Sequence, residues 1–563
     1  MDVNINKHLF SFKSVMTSPQ CSCLRRFLVL GIGLLTILAG VYLYLNWTEI
    51  FTQIRGKEMA LSEKSPAYKG WKISPLPLHF DVYLFNWTNP EDFYIGSKKK
   101  PRFEQLGPYR FREAPDKVDI QWHTNFSVSF RKKAIFYFDQ DSSNGTLDDK
   151  ITTVDTVAHS AALRLKTKSN FEKFFLNRGL SAYSKKFYIT KTANEWLFTG
   201  YQDPFVTIGG YFSKLTSAIE VPFDRIGWLY TRNNSAHYEG HFNIFTGSDD
   251  ISKMGQIHEW NYKTHNGVFD GECGRVKGSM GEFFPPNLTP QDSIFLYVPN
   301  ICRAVPLDYT ETVAIHGVTA YKYSGTERLV DNGTMFPENK CFCINGKCEA
   351  SGIFNISPCK FNSSIYMSYP HFFKADPVYL ERIEGLKPEK EKHEFFMTLE
   401  PNAGVPMDVG GGFQANYLLE SIEGINGFNN LPRTFIPIMW AEERVRVTSE
   451  IAADIALVPL IVLLGQLLTG ILLAIGVIMI CWYPTKFVTV CWQDPKGKSK
   501  LLRPLSATTS TSISRSQHRR TREHLNLIER RDVDLLRNNG SLDECLLNNT
   551  LSHQTYSSDV ITS

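Results

Sequence analysis

Residues 27–45, FLVLGIGLLTILAGVYLYL, and residues 455–483, IALVPLIVLLGQLLTGILLAIGVIMICWY, contain no charged side chain. As helices at 1.5 Å per residue they would be about 28 Å and about 43 Å long, against a hydrocarbon core of about 30 Å. Both are long enough to cross a membrane. Two such spans exclude a simple soluble enzyme and a polytopic channel alike. Arg25 and Arg26 precede the first run as they would in a signal peptide, but its 19 residues exceed a usual signal core and no small-x-small cleavage pattern follows Leu45. The run reads as an uncleaved signal anchor.

The chain therefore divides into residues 1–26, a first span 27–45, a 409-residue segment 46–454, a second span 455–483 and a tail 484–563. Up to Arg26 the net charge is +3, and the tail holds 12 Lys/Arg against 8 Asp/Glu, a net +4. Basic flanks stay in the cytosol, so both termini are expected there and the middle segment outside. Since the whole chain is +4, the middle segment is −3, which excludes a nucleic-acid partner. Sequons test the orientation independently. Asn86, Asn125, Asn144, Asn233, Asn287, Asn332, Asn355 and Asn362 each open an Asn-x-Ser/Thr without Pro at x, as expected of a glycosylated ectodomain.

The ectodomain's six cysteines, Cys273, Cys302, Cys341, Cys343, Cys348 and Cys359, lie within 87 residues. An even count outside the cytosol reads as three disulfides, and six cysteines leave 15 connectivities open. A zinc site is disfavoured because zinc ligands prefer two-residue gaps. Cys21, Cys23, Cys481 and Cys491 flank the spans and read either as palmitoylation sites or as inert reduced thiols.

Strand-like runs recur at Phe80–Trp87, Tyr109–Arg112, Phe126–Phe138, Thr312–Tyr323, Ile365–Tyr369 and Glu394–Leu399, with turns at Asn144-Gly145 and Asn332-Gly333. The expected fold is mainly antiparallel β, and 409 residues predict either several modules or one large sheet enclosing a space. Between Ile151 and Phe198 the period turns helical, through Val154, Val157, Ala158, Ala161 and Ala162 and then Phe171, Phe174, Phe175 and Leu176. Two or three short helices are expected there. From Ala161 to Thr192, Arg164, Lys166, Lys168, Lys173, Arg178, Lys185, Lys186 and Lys191 face one acid, Glu172, a balance of +7. A solvated helix face is the bland alternative; a segregated basic patch on an acidic ectodomain instead suits an anionic surface. Neither Gly-x-Ser-x-Gly, His-Glu-x-x-His, a P-loop nor Gly-x-Gly-x-x-Gly occurs, so no enzyme, cofactor or metal site is expected.

The segments Gly107-Pro-Tyr-Arg110, Gly200-Tyr-Gln-Asp-Pro-Phe205, Phe283-Phe-Pro-Pro286, Ile301-Cys302-Arg303, Cys341-Phe-Cys343, Tyr369-Pro-His-Phe372 and Leu399-Glu-Pro401, in this order, resemble the class B scavenger receptors from about Arg25 to Cys491. The insect branch is the most similar, including members that handle carotenoids. The resemblance implies a large antiparallel β-barrel with a hydrophobic tunnel and a helical apex, here at about 148–200. It also implies the disulfides Cys273–Cys341, Cys302–Cys359 and Cys343–Cys348 within the 273–359 region. Ligand contacts would fall on Lys166, Lys168, Lys173, Lys185 and Lys186. The function it implies is a plasma-membrane receptor that binds lipoprotein or other lipid particles and takes up carotenoid, otherwise sterol or fatty acid. Alternatives within the family are a phagocytic recognition receptor and a lysosomal sorting receptor, the latter matched by the tail motif Glu523-His-Leu-Asn-Leu527-Ile528. Whether the receptor forms a homo-oligomer is left open.

Overall fold

The computed structural model describes residues 19–491 except 75, 77, 184 and 209–223. In chain order the membrane-side start comprises α1 (Pro19–Met59) and α2 (Pro66–Lys72), followed by β1 (Leu78–Trp87), β2 (Phe103–Trp122) and β3 (Ser127–Phe138). A compact insert follows, with β4 (Lys150–Val154), α3 (Thr156–Arg164), α4 (Asn170–Ala182), β5 (Tyr188–Thr192) and α5 (Ala193–Leu197). The chain continues through β6 (His241–Phe245), β7 (Ile257–Trp260), β8 (Ser293–Val298), β9 (Arg303–Ile315), β10 (Val318–Ser324), β11 (Ile353–Asn355) and β12 (Ile365–Ser368). It ends with β13 (Phe396–Glu400), β14 (Val405–Gly410), β15 (Gly412–Leu419), β16 (Thr434–Arg446) and the long helix α6 (Ser449–Cys491).

Fourteen strands form one antiparallel sheet along β7-β6-β3-β2-β1-β16-β14-β13-β10-β9-β8, and β15, β12 and β11 extend it from β16. The two ends of this path meet: Ile257 N–H donates to Gly278 O at 2.8 Å, and Ser279 N–H donates to Phe295 O at 2.8 Å. Residues 278–279 thus bridge β7 to β8 and nearly close the sheet into a barrel. β1 sits centrally between β2 and β16 and is covered on both faces, which its near-continuous apolar sequence LHFDVYLFNW suits.

The expected single run Thr312–Tyr323 is two strands. Ile315 pairs with Val318, and His316 and Gly317 turn the chain at φ 48° and 83°. Glycine reaches this left-handed region freely, which makes a tight two-residue hairpin possible.

Phe80, Val82 and Leu84 of β1, Phe111 of β2, Phe136 of β3, Tyr323 of β10 and Leu399 of β13 share one buried cluster. That cluster defines the interior face of the barrel. A second cluster joins Phe85, Trp87 and Phe103 of the barrel to Ala158, Ala162, Leu176 and Leu180 of α3 and α4, and to Ile422, Ile425 and Phe428. Each fully buried Leu or Phe contributes about 1.5–3 kcal/mol, so this cluster fastens the helical insert to the strands.

Phe27–Met59 in α1 and Ser449–Trp482 in α6 are long and apolar enough to cross a membrane. They touch through small residues. A Cβ on Gly40 would lie 3.0 Å from the Leu473 backbone, one on Gly476 would lie 2.9 Å from Ile37 N, and Trp47 Nε1 donates to Val462 O at 3.0 Å. Small residues let helix backbones approach where lipid offers no hydrophobic drive for association.

Candidate functional site: a basic and aromatic apex

The insert is built on local caps. The Asp155 carboxylate accepts from Ala158 N at 2.9 Å to start α3, while Ser169–Glu172 and Thr192–Glu195 form capping boxes at α4 and α5. Between the helices runs the two-stranded ribbon β4–β5, which the helical reading of Ile151–Phe198 did not include. One loop leans on α4 and a second leans on that loop: Asn177 Nδ2 donates to Gly424 O at 2.9 Å, and Ile95 N–H donates to Asn430 O at 2.7 Å, so residues 421–430 and 90–100 adjoin the insert.

The lysines separate by environment. Lys185, expected as a ligand contact, is instead buried in an ion-paired position: its side chain is 9% exposed and its ammonium lies between Asp155, at 2.8 Å, and Asp203, each 1% exposed. Burial works against its charge, but the two carboxylates outweigh it and hold the ammonium above its ordinary value. It is a strut that ties the start of α3 to the end of α4 and to the Asp203-Pro-Phe205 segment. Lys186, by contrast, is 57% exposed and pairs with an exposed Glu91 at 2.9 Å, and hydrogen bonds to Tyr188 and Glu91 raise its pKa. Lys166 pairs with Glu420 at 2.7 Å, and Lys173 reaches Glu423 O at 3.4 Å. Lys168, Arg164 and Arg178 are exposed and form no ion pair among the described residues.

Two features escaped the sequence reading. Phe171, Phe174 and Phe175 of α4 are 70%, 57% and 58% exposed, although Leu176 and Leu180 on the opposite side are buried. Their rings touch at centroid distances of 4.8 Å for Phe171–Phe175 and 5.8 Å for Phe174–Phe175. The signal was present as two apolar stripes on one short helix. The loop beside Glu91 adds exposed Lys98, Lys99 and Lys100 next to exposed Tyr94 and Ile95. Of these, Lys99 pairs with Asp92 at 3.1 Å. An apolar ridge flanked by exposed cations fits an anionic surface that can also be penetrated.

The barrel's interior face is not uniformly apolar. By strand alternation Glu113, Lys117, Lys132 and Glu443 point the same way as Phe111, Phe136 and Met439, and Phe80 pairs directly with Glu443. The Arg232 guanidinium lies 5.3 Å from the Phe80 ring centre and 4.9 Å from that of Phe136, and pairs with Glu239 at 3.1 Å. Glu282 takes Lys117 at 2.7 Å and Lys132 at 3.7 Å. Burial, reinforced by Glu443, pushes the Glu113 carboxyl up to about 7.

The structure joins Cys273 to Cys341, Cys302 to Cys359 and Cys343 to Cys348. Among the sequons, Asn125, Asn144, Asn287 and Asn362 are exposed. Asn86 and Asn233 are half-buried and accept from Thr152 N and Phe136 N, both at 2.9 Å. Asn332 and Asn355 use the amide nitrogen itself, donating to Glu349 O at 2.8 Å and to Tyr366 Oη at 3.0 Å. Cys481 is a free, exposed thiol. The side chains of Cys21, Cys23 and Cys491, and the tail motif Glu523–Ile528, lie outside the described residues.

A CD36 family model matches residues 31–487. Protein peste of Drosophila melanogaster is 61% identical over 494 residues, which is 87% of this chain and 88% of that protein. Scavenger receptor class B member 1 of Bos taurus is 31% identical over 415 residues, 73% of this chain and 79% of that protein. Lysosome membrane protein 2 of Homo sapiens is 28% identical over 425 residues, 75% of this chain and 86% of that protein. With its two apolar terminal helices and nearly continuous barrel, the chain belongs to the CD36 family, as a class B scavenger receptor of the insect branch.

Proposed function

We propose that the receptor docks lipid particles at the α4 apex and passes lipid from them through the barrel interior to the bilayer. The carrying observation is the exposed Phe171, Phe174 and Phe175 ridge beside Lys168, Arg164 and Arg178, which are exposed and form no ion pair among the described residues. The cations draw in an anionic particle surface at about 1 kcal/mol each, and the rings lose apolar exposure by entering it. Inside, a lined path spares an insoluble cargo the cost of crossing water, about 25 cal/mol per Å² of apolar surface. Carotenoid was the cargo favoured from sequence. The charged groups on the interior wall favour a cargo with a polar end, a sterol or fatty acid, over an unsubstituted hydrocarbon. The similarity to Lysosome membrane protein 2 supports a lysosomal pool as a second reading of location.

Uptake by cells expressing the receptor tests this. Changing Phe171, Phe174 and Phe175 to serine is expected to lower uptake of labelled sterol from lipoprotein while sparing uptake of the same sterol presented as detergent-dispersed monomer. Equal loss by both routes at unchanged surface expression overturns the assignment of docking to this ridge.

A further inference from the structure

Arg303 opens β9 on the same face as Val305 and Leu307, and it is 2% exposed. Its guanidinium carbon lies 3.7 Å from the centre of the Phe342 ring and 4.8 Å from that of Phe354. Ring contacts of this kind engage a guanidinium through its faces and leave its five N–H donors directed outward in the plane. No hydrogen bond or ion pair of these donors is found among the described residues, and Nε is fully shielded from solvent.

The acids nearby are engaged elsewhere. Asp331 accepts from Gly333 N at 2.8 Å, Phe336 N at 2.9 Å and Ser351 Oγ at 3.2 Å, and Glu349 pairs with Arg433 at 2.5 Å. Both line the same pocket as Arg303, as does Lys347, and its volume is about 30 Å³. At about 10–15 Å³ per water on this measure, that is room for two waters or one small ion. Burial pushes the guanidinium down to about 9, so it remains charged at neutral pH, and neither pocket carboxylate forms an ion pair with it. Buried ions are normally paired, and the described residues supply no ion pair for this one.

We infer that the Arg303 pocket binds a small monoanionic group, a halide ion or a carboxylate, which accepts hydrogen bonds from the in-plane N–H donors. The bound anion would bridge β9 to the 331–349 loop and β11, where Phe354 and Val305 belong to the interior cluster. The free ion and the carboxylate end of a lipid share this chemistry, and the experiment separates them.

The test uses the full chain in detergent, with sodium bromide replacing the bulky isethionate at constant ionic strength, and in a second arm sodium laurate against methyl laurate. A saturable rise in unfolding temperature is expected, about 3 °C near a hundredfold excess over the dissociation constant. Arg303→Met keeps the apolar stem against both rings and should abolish the response. Because that variant could misfold, hydrogen exchange on the unaltered chain gives a second readout: bromide should slow exchange selectively within residues 331–355. A response to bromide assigns a free ion; a response to laurate alone, absent with its methyl ester, assigns a lipid carboxylate. No saturable response to either anion, or a response that persists in Arg303→Met, overturns the inference and leaves Arg303 as a stacked strut.

Discussion

Replacing Lys185 by methionine removes the one cation between two carboxylates that are each 1% exposed. Breaking a buried pair in this way costs about 3–5 kcal/mol, because the remaining charges keep their desolvation penalty. At about 2.1 cal/mol/K per residue over roughly 400 residues, that corresponds to a fall in unfolding temperature of about 4–6 °C. Lys186→Met breaks a pair exposed on both sides and should leave the temperature within about 1 °C. Differential scanning fluorimetry of the detergent-solubilised receptor reads both. A triple variant, Lys185→Met with Asp155→Asn and Asp203→Asn, should recover part of the loss, since asparagine still caps α3 and removes the stranded charge. If Lys185→Met leaves the melting temperature unchanged but weakens particle binding as strongly as loss of Lys168, then Lys185 acts as a ligand contact and not as a buried strut.

Glu113→Gln should raise stability at about pH 7.5 and flatten its pH dependence. The folded pKa of about 7 lies above the ordinary value, so the stabilising protonated form is present at low pH and is lost as pH rises through 7. Glu443, Arg232, Glu239 and Lys132 all act on the same carboxyl, and the ceiling of the effect is about 3 kcal/mol; a melting temperature that falls between about pH 5 and 7.5 equally in both forms contradicts this. Cys302→Ser should strand Cys359 and retain the protein in the secretory pathway, measured as loss of surface signal. Glycosidase digestion should lower the apparent mass, with Asn125, Asn144, Asn287 and Asn362 carrying most of the glycan, read by site-resolved mass spectrometry. Tags at both termini should be inaccessible on intact cells; labelling of either without permeabilisation contradicts the orientation.

Strand runs such as Phe80–Trp87 and Phe126–Phe138 were legible because alternation survives wherever one face packs on a core. The family resemblance, drawn from short motifs, is borne out by the match over residues 31–487. The β9–β10 turn was missed because His316-Gly317 interrupts apolar residues on both sides without a cluster of turn formers. The role of Lys185 was hidden for a different reason: its partners lie 30 and 18 residues away, and composition counts a buried lysine and a solvated one alike. Helical period located Phe171, Phe174 and Phe175 on a helix but does not say which of two apolar stripes meets the core. Interior charges such as Glu113 and Lys132 stand beside further charged residues, Arg112 and Arg131 with Lys133, and so read as part of a solvated face, although the register puts them on the face of Phe111 and Phe136.

Direct binding of the receptor to phospholipid vesicles tests the docking claim most closely. With Phe171, Phe174 and Phe175 changed to serine and the fold intact, affinity for anionic vesicles should fall about 100-fold, from roughly 1 kcal/mol per ring. Neutralising Lys168, Arg164 and Arg178 should weaken binding at low salt and matter less as salt screens the surface. Vesicle affinity unchanged by both sets of substitutions contradicts the account and returns α4 to an ordinary solvated helix.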